Sequence, residues 1–213
     1  IPSNKYDYHY IASSKGILRY ASIFRISNFV ENSNWRTKLS KSPKPILYIP
    51  LQWYPESTVD YWCKNINLID FEKVFIKMII KLSSNFRIAI KEHPAGLGFR
   101  NPSFIKKVNS LLSDDIFCIP SNTPSNLVAG KANAVLVWTG SAGFEAAYRG
   151  KPVFTIGDPY YASGRFFRNI NLETSISEYE NFIIECEKNP IKDIEKKELV
   201  KNLLSGFVEG FFR

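Results

Sequence analysis

From residue 46 onward, short apolar runs alternate with segments of helical period, and nearly every position of each run is apolar. The runs 46–49, 87–91, 116–119, 134–138 and 153–156 read as strands, and 68–82, 103–112, 124–129, 142–148, 176–187 and 191–207 as helices. The segment 68–82 sets Leu68, Phe71, Phe75, Ile76, Ile79 and Leu82 on one stripe, and 103–112 does so with Phe104, Ile105, Val108, Leu111 and Leu112. A strand facing water on one side would alternate apolar with polar. Continuous apolar strands that alternate with helices require a parallel sheet covered on both faces. The expected fold is therefore α/β, a Rossmann-like parallel sheet with helices on both faces, and the chain carries no internal repeat.

The first 45 residues differ. They are polar and aromatic, residues 8–36 have the pattern of one or two helices, and Lys38-Leu-Ser-Lys-Ser-Pro-Lys-Pro45 has the composition of a linker. The expected organisation is an N-terminal helical segment with linker over 1–45 and a Rossmann-like domain with C-terminal helices over 46–213.

Ligands of such sheets bind outside the carboxyl ends of the strands, so the stretches 52–57, 92–100, 120–123, 139–145 and 157–161 are expected to converge. Two are chemically distinctive. Thr139-Gly-Ser-Ala-Gly143 follows a buried strand and opens a helix. Free backbone N–H groups at such a turn receive a phosphate. Gly140 and Gly143 permit close backbone approach and positive φ, and Ser141 either caps the helix or donates to phosphate. An ordinary strand-to-helix turn explains these residues too. Glu145, in the first turn, gains from the helix dipole or accepts two ribose hydroxyls. Gly150 and Pro152 end the helix.

The other stretch is Lys91-Glu-His-Pro94. Pro94 keeps His93 out of a helix, and the imidazole donates to a phosphate oxygen or simply caps the strand. Lys91, two residues earlier, points to the same face and adds charge to the crevice or is solvated. Together the two stretches suggest a nucleotide-sugar site. Gln52 and Glu56 are placed to line it, whereas Ser57 with Asp60 reads as a capping pair. Arg100, Tyr160 and Tyr161 are wall candidates that an exposed Arg or a packed Tyr explains as cheaply.

Other chemistries fit worse. The 28 Lys and Arg against 20 Asp and Glu leave a net charge of +8, which suits an anionic partner or merely solubility. The cations are scattered, so no nucleic-acid partner is expected. Cys63, Cys118 and Cys186 have neither metal-ligand nor disulfide-framework spacing, which fits a reducing cytoplasm. His9 and His93 are too few for zinc, so no metal is expected. There is no G-x-S-x-G elbow, Walker A loop or G-x-G-x-x-G fingerprint. No apolar run reaches transmembrane length, and no signal peptide is visible. A start at Ile1-Pro2, without Met, suggests a piece of a longer protein.

Three stretches, Ile49-Pro-Leu-Gln-Trp-Tyr-Pro-Glu-Ser57, Ile90-Lys-Glu-His-Pro94 and Thr139-Gly-Ser-Ala-Gly-Phe-Glu-Ala-Ala-Tyr-Arg-Gly-Lys-Pro-Val153, resemble the capsule and surface polysaccharide biosynthesis proteins, which include Kdo transferases that use a CMP-sugar. The resemblance covers about residues 46–161 and implies the nucleotide-binding, C-terminal half of a GT-B glycosyltransferase. It implies that His93, as the catalytic residue, contacts the donor phosphate beside Pro94 and Lys91, and that Thr139, Gly140 and Ser141 hold that phosphate. It further implies that Glu145 binds ribose and that the backbone at Pro120, Ser121 and Asn122 reads the base. The nucleotide-sugar is then a substrate, with no cofactor. A glycan or glycolipid acceptor, a peripheral contact with the inner membrane, and a missing N-terminal half or partner chain complete the expectation. A sugar-nucleotide 2-epimerase and a non-catalytic binding domain are the alternatives.

Overall fold

The computed structural model describes residues 29–40, 42–52, 63, 65, 68, 70–93, 96 and 100–211. Its elements run α1 (Trp35–Ser40), β1 (Ile46–Pro50), α2 (Phe71–Leu82), β2 (Arg87–Lys91), α3 (Pro102–Leu111), β3 (Ile116–Ile119), α4 (Ser125–Lys131), β4 (Ala134–Val137), α5 (Ala142–Tyr148), β5 (Val153–Thr155), β6 (Phe167–Asn169), α6 (Ile176–Lys188) and α7 (Asp193–Phe211). The strands form one sheet in the order β3-β2-β1-β4-β5-β6, all neighbours parallel. The parallel sheet is the one expected from the alternation, and its strand order is that of a Rossmann fold. The chain winds from β1 to one edge, then returns to β4 on the other side of β1. The switch between β1 and β4 opens a crevice at their carboxyl ends.

The apolar runs behave as their composition requires: β3, β4 and β5 are buried at every position, and β1 and β2 at all but one. Against them α2 buries Phe71, Val74, Phe75, Met78, Ile79 and Leu82, each contributing about 1.5–3 kcal/mol. This helix starts at Phe71, not at Leu68, because the Asp70 side chain caps it, accepting from the Lys73 N–H at 3.2 Å. Leu68, ahead of the cap, is buried, and its carbonyl accepts the Trp138 indole N–H at 3.4 Å.

Two stretches depart from the sequence expectation. The linker-like segment is partly helical: α1 extends to Ser40 and buries Trp35 and Leu39. Two of the lysines that made it read as a linker, Lys38 and Lys44, are anchored. Lys38 donates to the Ser113 carbonyl at 3.0 Å and pairs with Asp114 at 3.1 Å, and Lys44 pairs with Asp115 at 2.5 Å. Just before α1, Glu31 bridges Cys118 of β3, whose carbonyl accepts the Asn32 N–H. The helices expected before residue 29 lie outside the described residues. The second departure is β6, a three-residue edge strand, Phe-Arg-Asn, too short and polar to show as an apolar run.

At the carboxyl end, Arg165 fastens the α6–α7 connection. Its guanidinium donates to the Asn189 and Pro190 carbonyls and to both Glu195 oxygens, at 2.5 and 3.0 Å. Arg165, helped by the Lys192 N–H, holds the Glu195 carboxyl down at about 2. A carboxylate depressed in the fold supplies stability above its unfolded value near 4.5, lost as pH falls toward 2. Glu195→Gln is expected to flatten the pH dependence of the melting temperature between pH 4.5 and 2, read by circular dichroism. Cys63, Cys118 and Cys186 are buried thiols; burial pushes Cys118 up to about 12 and Cys186 up to about 11. Among the described residues no helix is long and apolar enough to cross a membrane.

Candidate functional site

A cavity of about 640 Å³ opens at the switch between β1 and β4. Gln52, Lys91, His93, Ser121, Asn122, Thr139, Gly140, Ser141 and Glu145 all line it, as do Tyr160 and Tyr161. The stretches after five strands therefore meet at one place, as the carboxyl-end rule requires. Pro94, Glu56, Ser57 and Asp60 lie outside the described residues.

Gln52 knits the two sides of the switch. Its side-chain oxygen accepts the Thr139 N–H at 3.4 Å across the crevice. A Cβ on Gly140 would stand 3.2 Å from that same oxygen, so the glycine admits the contact. Tyr161 closes the far side, its hydroxyl donating to the Gly140 carbonyl at 2.5 Å. Neither Gly140 nor Gly143 has positive φ; the described glycines that do are Gly150, at 77° behind α5, and Gly164. The need at Gly143 is close approach: a Cβ there would lie 2.8 Å from the Tyr161 hydroxyl and 2.9 Å from Val137. Gly143→Ala is expected to cost about 1–3 kcal/mol in denaturant titration, because the helix must lift off the sheet.

Ser141 precedes α5 but makes no capping bond, so the capping alternative drops out. Glu145 is half-exposed and 3.7 Å from Arg149, one turn on; the apolar neighbours implied by sequence leave its carboxylate open to solvent at the cavity edge. Ser121 donates its N–H to Glu31 at 3.3 Å, which ties the β3 tip to the segment before α1.

Lys91 is not solvated. It is 4% exposed, and its ammonium donates to the Glu92 carbonyl at 3.5 Å; no carboxylate of the described residues forms an ion pair with it. Burial pulls its pKa below 10.5, against the weaker opposing pull of Glu92. His93, by contrast, is exposed at the rim; its carbonyl accepts the Gly96 N–H at 2.7 Å. A buried cation on one wall, an imidazole at the rim and a small-residue turn opposite have the donor chemistry that suits an anion.

Arg100 is not a wall residue. It is buried and paired with Glu92, Nε to Oε2 and Nη2 to Oε1, both at 2.9 Å. The same Nη2 donates to the Gln52 carbonyl, and the guanidinium lies 5.3 Å from the Phe71 ring. Glu92 Oε1 also accepts the His93 N–H at 2.6 Å. Sequence reasoning gave Glu92 no role. It lines the cavity beside Lys91 and His93 yet is buried, and a buried carboxylate needs a cation. Thr123, at the end of the expected 120–123 stretch, also lines the cavity, and Ser125 is a lining residue beyond it.

The sequence profile of the capsule polysaccharide biosynthesis proteins matches residues 3–173. No curated protein matches significantly. Solved structures that resemble the chain include two transferases of KpsC from Thermosulfurimonas dismutans. The beta Kdo 2,7 transferase is 24% identical with a TM-score of 0.47, over 67% of this chain and 44% of that one. The beta Kdo 2,4 transferase is 15% identical with a TM-score of 0.46, over 61% and 39%. The N-terminal domain of Candida albicans trehalose-6-phosphate phosphatase is 12% identical with a TM-score of 0.42, over 85% and 43%. The aligned region spans less than half the length of each of these three chains.

Proposed function

The chain belongs to the capsule polysaccharide biosynthesis protein family, and from that premise we propose that it is the donor-binding part of a cytoplasmic GT-B glycosyltransferase that uses a nucleotide-activated sugar such as CMP-Kdo. The observation that carries the reading is the buried Lys91 side chain, which forms no ion pair with a carboxylate of the described residues, in the cavity where five strand tips meet. A buried cation that no ion pair satisfies is costly unless an anion completes it. In this reading the donor phosphate lies between Lys91, His93 and the Thr139–Gly140–Ser141 turn. Glu145 takes the ribose hydroxyls, and Ser121 and Asn122 face the base.

Transfer then follows from electrostatics. As the bond from the sugar to the phosphate breaks, negative charge grows on the departing nucleotide. Lys91, the imidazole of His93 and the turn stabilise that charge as it develops, and a protonated His93 can hand a proton to the leaving phosphate. The glycan or glycolipid acceptor approaches from the open mouth, and its general base comes from outside the cavity described here.

Calorimetric titration with CMP and UDP tests the reading. Saturable binding of one of them, weakened about tenfold in His93→Ala and also reduced in Glu145→Ala, is the expected result; no binding of either overturns it. Product analysis with CMP-Kdo and with UDP-GlcNAc separates transfer from epimerisation.

A further inference from the structure

We propose that Glu92 and Arg100, which no motif assigns, are positioning residues that set the spacing between His93 and Gln52; the proposal rests on the donor reading of those two residues. The pair is fully inside the protein, its side chains 2% and 3% exposed. Stability alone does not account for it, because a buried ion pair roughly breaks even against well-packed apolar residues. What it does is join two strand tips. Glu92 Oε1 holds the His93 N–H at 2.6 Å while sharing Arg100 with Oε2, and Arg100 Nη2 reaches the carbonyl of Gln52.

The main chain at His93, after β2, and at Gln52, after β1, is thus tied to one planar, bidentate pair with little rotational freedom. Gln52 in turn holds Thr139, so the pair spans from the rim imidazole to the turn opposite. Gly96 lets the chain fold down over the carboxylate: a Cβ there would lie 2.6 Å from Glu92 Oε1. A shift of the carboxylate is therefore transmitted to His93 directly, through a single hydrogen bond.

The test uses two variants and two readouts. Glu92→Gln removes the charge. Glu92→Asp keeps the charge, retracts the carboxylate by one methylene and guards against a Gln variant that fails to fold. The first readout needs no ligand: the His93 amide proton in nitrogen-15 NMR. It is expected far downfield in the unsubstituted chain because of its short, charge-assisted bond, and to move upfield in folded Glu92→Asp. The second is the CMP dissociation constant, expected to rise about tenfold in Glu92→Asp. Adding His93→Ala to Glu92→Asp should then cost far less than His93→Ala costs alone.

An unmoved amide signal in folded Glu92→Asp, or losses that multiply independently in the double variant, overturns the proposal. If the unsubstituted chain binds no CMP while the amide moves as expected, the donor reading falls and the positioning of His93 stands.

Discussion

Arg100→Ala is expected to lower the unfolding free energy by about 3–5 kcal/mol, because it leaves the Glu92 carboxylate buried without its cation. For a chain of this size each kcal/mol shifts the melting temperature by roughly 2–4 °C, so the loss is on the order of 6–20 °C. Three effects add. The carboxylate loses two hydrogen bonds, the Gln52 carbonyl loses a donor, and the Phe71 ring loses its cation. The double replacement Glu92→Met with Arg100→Met is expected to be closer to the unsubstituted protein than Arg100→Ala, since it removes both charges together. Thermal melts followed by circular dichroism check both. A fall below about 1 kcal/mol for Arg100→Ala, a scale typical of exposed pairs, would contradict a desolvated pair.

Lys91→Met is expected to do the opposite to stability while disabling binding. The ammonium is buried, and its pKa is pulled down by desolvation. The unfolded chain therefore holds this proton more tightly than the native one. The linkage sign follows: protonation favours unfolding, so native stability rises with pH between the lowered folded value and 10.5. Methionine is of similar length, carries no charge and removes that dependence. The variant should melt higher at neutral pH, and the two proteins should draw together as pH approaches 10.5. The loss of one charge-assisted contact to phosphate should weaken nucleotide binding about 10- to 150-fold. A variant that melts lower and binds as before would mean that Lys91 faces no anion.

Much of this architecture was readable in the residues. The parallel sheet followed from the runs at β1, β3 and β4, buried throughout or nearly so, because a two-sided environment imposes apolar residues without alternation. The cavity followed from that sheet, since the tips of parallel strands lie on one side of it. What escaped depends on partners distant in sequence. Lys38 and Lys44 looked like linker residues until Asp114 and Asp115, in the turn before β3, were seen to hold them. Arg100 read equally well as an exposed cation or a wall residue, because apolar neighbours in sequence do not announce a buried charge; its burial depends on Glu92, eight residues earlier. Of the two uses the sequence offered for Gly143, close approach and positive φ, the structure takes only the first, and what comes close is the sheet and Tyr161.

The three thiols offer a built-in clock for motion. Cys118 sits in the β3 edge, Cys186 in α6 and Cys63 between β1 and α2 in sequence, and all are shielded. A thiol-modifying reagent can reach each one only when its own neighbourhood opens, so labelling rates, counted site by site by mass spectrometry, would rank how often three separate parts of the molecule breathe.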